Sequence, residues 1–168
     1  GSDASALKTK ATITNEGYSL NGSKSFISGG GFSDSYVVLC RTGDQTPNGI
    51  SMLLVEDGQA GLSFGKKEQK MGWKAQPTAI VQFDNCSISA ENLVGEEGAG
   101  FKYAMEGLDG GRLNIAAASL GGAQKAYEIA KAYSKERSAF GKPISKFQSI
   151  EFKLADMATQ LEAARLFL

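Results

Sequence analysis

The sequence predicts an α+β chain, an antiparallel β-barrel or sandwich followed by part of an α-helical bundle. Two observations carry this. Up to about Val94, short runs rich in β-branched and aromatic residues alternate with Gly, Asn, Asp and Pro turn signals. From about Gly98 onward, apolar and small residues recur instead at three- and four-residue steps. The change of period divides the chain into a β-domain over residues 1–94 and a helical part over 95–168.

Taken in order, strands over 11–14 and 18–20 flank Asn15-Glu16-Gly17, a loop that favours a hairpin. Asn21-Gly22 predicts a second tight turn into a strand over 23–28, since both residues tolerate positive φ. Residues 36–41, 50–55 and 78–83 are further strand-like runs. In the second half Phe101, Met105, Leu108, Ile115, Ser119, Ala123, Ala126 and Ala130 keep helical spacing. Gly107, Gly110, Gly111, Gly121 and Gly122 interrupt it, each costing about 1 kcal/mol relative to Ala inside a helix. They mark either a helix break near Gly110-Gly111 or the close approach of another helix or a ligand. Gly141-Lys142-Pro143 is a stop, and Ser145 with Gln148 fits a capping box for the next helix. Phe147, Ile150, Leu154, Met157, Leu161 and Leu168 then form the stripe of a bundle helix. The stripe runs to the last residue without a C-cap, so the chain is expected to be cut within its helical domain.

Composition bounds the chemistry. The 168 residues are 42% hydrophobic and 21% charged, an ordinary globular balance. Eighteen basic and eighteen acidic residues cancel, which gives no electrostatic case for nucleic acid or an anionic membrane. Without histidine there is no Ser-His-Asp or Cys-His nucleophile, and nearly every catalytic zinc arrangement is excluded. No metal ligands are expected. Cys40 and Cys86 lack metal or redox spacing and read as small buried hydrophobes in a reducing compartment. No apolar run reaches the length of a membrane span.

Several motifs fail. The glycines from Gly95 to Gly100 look like a phosphate loop, but their spacing is the reverse of the dinucleotide fingerprint and the preceding half is antiparallel. They read as a flexible lead-in to a helix. Lys66, Lys67 and Lys70, interrupted by Glu68, read as a solvated face.

Four segments together resemble the acyl-CoA dehydrogenase family. Gly1-Ser2-Asp3-Ala4-Ser5-Ala6 resembles the end of its flavin-site signature. Residues 20–28, with Asn21-Gly22-Ser23-Lys24 and Phe26-Ile27-Ser28, resemble its β-domain flavin segment. Gly107-Leu108-Asp109-Gly110-Gly111-Arg112 resembles its CoA-contacting helix. Arg137-Ser138-Ala139-Phe140-Gly141-Lys142-Pro143-Ile144, with Phe147-Gln148, resembles its second flavin-contacting segment. The resemblance spans the chain in order, and residues 49–86 are most similar to the branch that acts on isobutyryl-CoA.

The resemblance implies FAD as cofactor and oxidation of a short or branched acyl-CoA to its 2,3-enoyl-CoA. A carboxylate would take the α-proton while hydride leaves the β-carbon for the flavin. It implies an electron-transferring flavoprotein as partner, a homotetramer, and a mitochondrial matrix location in a eukaryote or a cytoplasmic one in a bacterium. Phe26, Ile27 and Ser28 are expected against the flavin ring, Ser28 as hydroxyl donor near N5. Ser2 is expected to contact FAD or the acyl-CoA. Asp109, Gly110, Gly111 and Arg112 are expected to bind the CoA portion. Arg137, Phe140, Phe147 and Gln148 are expected to meet FAD across a subunit interface, where a permanent bidentate cation suits a pyrophosphate. Where some relatives carry a catalytic Glu before the arginine, this chain has Gly111. The base is therefore expected outside this chain, which alone should not turn over acyl-CoA. Two rival functions stand beside this one: a non-catalytic β-sandwich binding module, and an oxidase-like or degenerate family member.

Overall fold

A computed structural model describes residues 3–168. Contacts separate the chain into two compact units, residues 1–105 and 106–168, and each is taken by itself.

In the first unit, six strands of the described residues form one sheet. They are β1 (Lys10–Thr14), β2 (Gly17–Ser28), β3 (Ser35–Arg41), β4 (Ile50–Glu56), β5 (Leu62–Phe64) and β6 (Thr78–Ser89), in the order β4-β3-β1-β2-β6-β5. All neighbours are antiparallel except β1 and β3, which meet in parallel at Lys10 and Arg41. The sheet is therefore mixed and open, not a closed barrel. Inward alternation builds its core: Tyr18 and Leu20 from β2, Tyr36, Val38 and Cys40 from β3, Leu53 and Val55 from β4, and Val81, Phe83, Cys86 and Ile88 from β6. Both edges are protected. The chain after β6 lies along β4, bridging at Leu53–Leu93 and Ile50–Ala99, and β5 is only three residues long.

The predicted hairpin forms, with Thr14 opposite Gly17. The predicted turn at Asn21-Gly22 does not. Both residues lie inside β2, where the register against β6 shifts between Leu20–Cys86 and Gly22–Phe83. One residue of β2 thus faces two of β6, a bulge containing Asn85 at φ 48°. Asn21 fastens it by accepting the Asn85 backbone N–H at 2.9 Å. Gly22 keeps positive φ, at 132°, and a Cβ there would press on the Thr9 backbone at 3.0 Å. Its turn-like chemistry thus serves a bulge. A second register shift lies between Lys24–Val81 and Ile27–Ala79, now with the extra residue on β2.

The glycines before the first helix are packed rather than flexible. Gly98 donates to the Ser51 hydroxyl at 2.9 Å, and a Cβ on Gly100 would fall 2.5 Å from the Ser51 carbonyl carbon. Close approach to β4 explains them without a phosphate.

Helix α1 runs unbroken from Gly100 to Glu136. Of the two readings of its glycines, the break near Gly110-Gly111 is absent. Among the described residues no protein atom beyond the local helix backbone comes within 4 Å of a Cβ placed on Gly107, Gly110, Gly111, Gly121 or Gly122, so no helix approaches them closely either. After it, β7 (Ser138–Ala139) and β8 (Lys142–Pro143) form a tight hairpin whose turn residues Phe140 and Gly141 have φ of 50° and 77°. Helix α2 spans Gln148–Phe167. The capping box at Ser145 does not form. A 3-10 turn over Ile144–Lys146 takes Ser145 out of reach, and Phe147 becomes the N-cap without a side-chain bond. In the second unit Arg165 donates to Gln124 Oε1 at 3.1 Å, tying α2 to α1.

Candidate functional site

The second bulge of β2 shapes the strongest candidate surface. The extra residue lets Ile27 pack against the core while Phe26, at φ 59°, turns outward and is 73% exposed. A left-handed backbone at a bulky residue costs about 1–3 kcal/mol and concentrates at functional sites. Ser28 is exposed at the strand end, paired with Thr78. The segment thus presents an aromatic ring, an apolar half-buried side chain and a hydroxyl in sequence.

Behind it lies a cleft of about 360 Å³ lined by Lys24, Ile27, Ser28, Ser33, Tyr36 and Phe83, among others. Burial lowers the pKa of Lys24, partly offset by Cys40. Burial pushes the Cys40 thiol up to about 12; Lys24 opposes this and Glu97 adds to it. The Cys40 thiol is fully buried, and the polar groups lining the cleft include the Lys24 side chain and the hydroxyls of Ser28, Ser33 and Tyr36.

In α1, Asp109 and Arg112 stand one turn apart with their charges 3.9 Å from each other, both side chains 81% exposed. Gly110 and Gly111 between them leave a surface no side chain obstructs. In the hairpin, Phe140 is 95% exposed and meets Phe147 edge-on at 6.2 Å. Lys142 Nζ sits 4.4 Å over the Phe147 ring. Register puts Lys142 opposite Ala139, and Ile144 donates its N–H to the Arg137 carbonyl. By strand alternation Arg137 and Lys142 therefore share one face of the ribbon. Arg137 and Gln148 are exposed.

The structure thus puts Phe26, Ile27 and Ser28 on one strand end, Asp109 beside Arg112, and Phe140 against Phe147, with Arg137 at the start of the same hairpin and Gln148 exposed at the start of α2. Ser2 lies outside the described residues. Trp73, given no role by sequence reasoning, shares the features of Phe26: φ 51° and 72% exposed. Its only signal was an aromatic between Gly72 and Lys74 in a strandless stretch. Larger hollows lie elsewhere. One of about 800 Å³ between α1 and α2 is almost wholly apolar, with Leu120, Ala123, Met157 and Leu161 in its wall. One of about 680 Å³ is lined by Phe32, Met71, Pro77 and three lysines. Size alone does not assign chemistry, and the strained, exposed aromatics mark the better candidate. Among the described residues no group of His, Cys, Asp and Glu could hold a metal ion, and no helix is long and apolar enough to cross a membrane.

Comparison with known proteins names the class that this sheet and helix pair define. Residues 1–86 match the family described as "Acyl-CoA dehydrogenase, middle domain", and residues 98–168 the one described as "Acyl-CoA dehydrogenase, C-terminal domain". The chain belongs to the acyl-CoA dehydrogenase family. It is 52% identical over 168 residues to the mitochondrial isobutyryl-CoA dehydrogenase of Bos taurus, covering 40% of that protein. Against the solved butyryl-CoA dehydrogenase of Megasphaera elsdenii it is 51% identical with a TM-score of 0.93, over 98% of this chain and 44% of that one. A chain in the structure described as the electron transferring flavoprotein of Acidaminococcus fermentans gives 51% identity and a TM-score of 0.94, over 99% of this chain and 44% of that one. The chain therefore spans less than half the length of these proteins.

Proposed function

We propose that an intact protein carrying this chain is an FAD-dependent acyl-CoA dehydrogenase, with isobutyryl-CoA as its preferred substrate. The observation that carries this reading is the Phe26-Ile27-Ser28 bulge: an outward aromatic on strained backbone, followed by a hydroxyl, in a chain of this family. These residues fit a flat apolar ring with a polar edge. The hairpin, with an exposed arginine and an exposed aromatic, fits the dinucleotide's pyrophosphate and adenine.

FAD, when bound, supplies the hydride acceptor that no side chain can provide. Phe26, turned outward, would cover an apolar ring face and exclude water from it, with half-buried Ile27 backing it from the core side. Ser28 would donate its hydroxyl to the ring's polar edge, a place suited to stabilise negative charge. Asp109 and Arg112 orient the CoA portion, and Arg137 holds a pyrophosphate charge. No carboxylate in α1 stands where a base would precede Arg112, since Gly111 occupies that place. Proton abstraction then falls to a residue outside this chain, and the chain alone does not turn over.

Similarity to the isobutyryl and butyryl enzymes is nearly equal, at 52% and 51% identity. One methylene in an apolar pocket discriminates by only about 1–3 kcal/mol. The preference for isobutyryl-CoA therefore rests on the likeness over residues 49–86. The reading extends to an electron-transferring flavoprotein as acceptor and a homotetramer, in the mitochondrial matrix of a eukaryote or the cytoplasm of a bacterium. The β-domain over 1–94 and the helical part over 95–168 belong to it as well.

Visible spectra of the intact protein before and after anaerobic addition of isobutyryl-, butyryl- and isovaleryl-CoA test it. Flavin bands should bleach fastest with isobutyryl-CoA, and Ser28→Ala should slow bleaching by about tenfold or more, as loss of one charge-stabilising donor does. Absence of flavin, with none taken up on adding FAD, would favour a binding module. Hydrogen peroxide as the product of reoxidation would favour an oxidase.

A further inference from the structure

The turn that ends β2 is three consecutive glycines, Gly29, Gly30 and Gly31. Backbone bonds close the turn, from the Gly30 N–H to the Ile27 carbonyl at 3.1 Å and from the Phe32 and Ser33 N–H groups to the Gly29 carbonyl at 2.9 Å each, and no glycine side chain adds to them. Tyr36, the second residue of β3, supplies a side-chain tie across it. Its hydroxyl donates to the Gly29 carbonyl at 3.1 Å and accepts the Gly31 N–H at 3.0 Å. The phenol is 7% exposed, and its ring packs against Phe64 with centroids 5.5 Å apart. Gly29 also donates its own N–H to the Pro77 carbonyl at 2.8 Å. Both polar atoms of Gly29 are thereby held, and Ser28 immediately precedes it.

A buried hydroxyl is costly unless paired. The neighbouring inward positions of β3 are filled by Val38 and Cys40, so burial alone asks only for an apolar group at position 36. Here donor and acceptor are both used, and both partners are backbone groups of the turn next to Ser28. Tyr36 also lines the cleft behind Ile27 and Ser28.

We propose that Tyr36 is a positioning residue for the flavin site: through Gly29 and Gly31 its hydroxyl sets the direction in which Ser28 presents its own. This rests on the reading that Phe26, Ile27 and Ser28 meet the flavin ring. The group itself touches no ligand. It acts on the bound ring by way of the turn.

The test is Tyr36→Phe in the intact protein, which keeps the ring and its contact with Phe64. Three quantities are read: amide exchange at Gly31, the FAD dissociation constant by flavin fluorescence, and the flavin reduction potential. The Gly31 amide should exchange about tenfold faster and FAD should dissociate about tenfold more readily, the scale of one lost hydrogen bond. The potential should shift in the same direction as in Ser28→Ala. In the unsubstituted protein, FAD should slow exchange at Gly31. Faster exchange with unchanged FAD affinity and potential would reduce Tyr36 to a fold-stabilising residue and overturn the proposal. So would Gly31 exchange indifferent to FAD. An unsubstituted protein that binds no FAD would instead overturn the flavin reading, and the proposal with it.

Discussion

At the scale of single residues, burial controls chemistry. Cys40 is fully buried between strands, and the cost of placing a thiolate there pushes its pKa from an ordinary 9.0 to about 12. The folded value lies above the unfolded one. The folded protein therefore holds a proton that the unfolded chain gives up, and this contribution is complete below about pH 9 and lost as pH rises towards 12. Lys24 works the other way, its folded pKa lying below 10.5, so it returns some stability as pH approaches that value. Above it the Cys40 loss stands alone among these two. At pH 8 a thiol reagent should label neither Cys40 nor Cys86 until urea unfolds the chain, and the urea midpoint should fall from pH 9 to 12. Rapid labelling of the native protein would show the core to be open.

Secondary elements are joined by groups that the local sequence does not advertise. Arg41 closes β3 and is 5% exposed, with no carboxylate of the described residues bonded to its guanidinium; its donors go to the carbonyls of Ser5, Leu7, Asp44 and Thr46. The segment before β1 and the loop after β3 are thus held by one side chain. Asp44 stiffens that loop by accepting from the Thr46 hydroxyl and N–H, and these bonds lower its pKa. Arg41→Met keeps a similar volume but strands several carbonyls, so it should cost about 2–4 kcal/mol in urea denaturation. A loss under 0.5 kcal/mol would mean that water replaces the guanidinium. The same scale shows what the sequence revealed. β1, β3, β4 and the first hairpin were legible because alternation and turn residues sit together. Asn21-Gly22 was misread because its partner, Asn85, is 64 residues away. β5 was missed because three residues carry no period; only pairing with Phe83, Gln82 and Val81 makes it a strand. The capping box was a local signal overridden by the 3-10 turn before it. Phe26 and Ser28 became candidates only through resemblance, and nothing in the residue types foretold the left-handed backbone at Phe26.

Across the whole molecule, the two units differ in how much they bury. The first has a continuous core, whereas no residue of α2 is buried and, beyond Gly100 at its start, Ser134 is the one buried residue of α1. Helices that bury little gain little from tertiary packing. Native-state hydrogen exchange should therefore find amides of β2, β3 and β6 protected at least a hundredfold better than those of α2. Equal protection would mean that the helices draw stability from contacts other than those described. The sheet's own design rests on its two longest strands. The bulge with its extra residue on β6 is followed by one with its extra residue on β2, so Gly17–Ser89 at one end and Ser28–Thr78 at the other keep the same pairing register. The two irregularities cancel. A single-residue deletion at either would slip half of the ribbon and turn its core residues outward. A matched pair of deletions would leave both ends aligned while removing the Asn21–Asn85 tie and the outward turn of Phe26. Lengths of these strands are therefore free to change in descent only in concert, and a lineage that had lost both bulges together could keep the fold while giving up the aromatic surface.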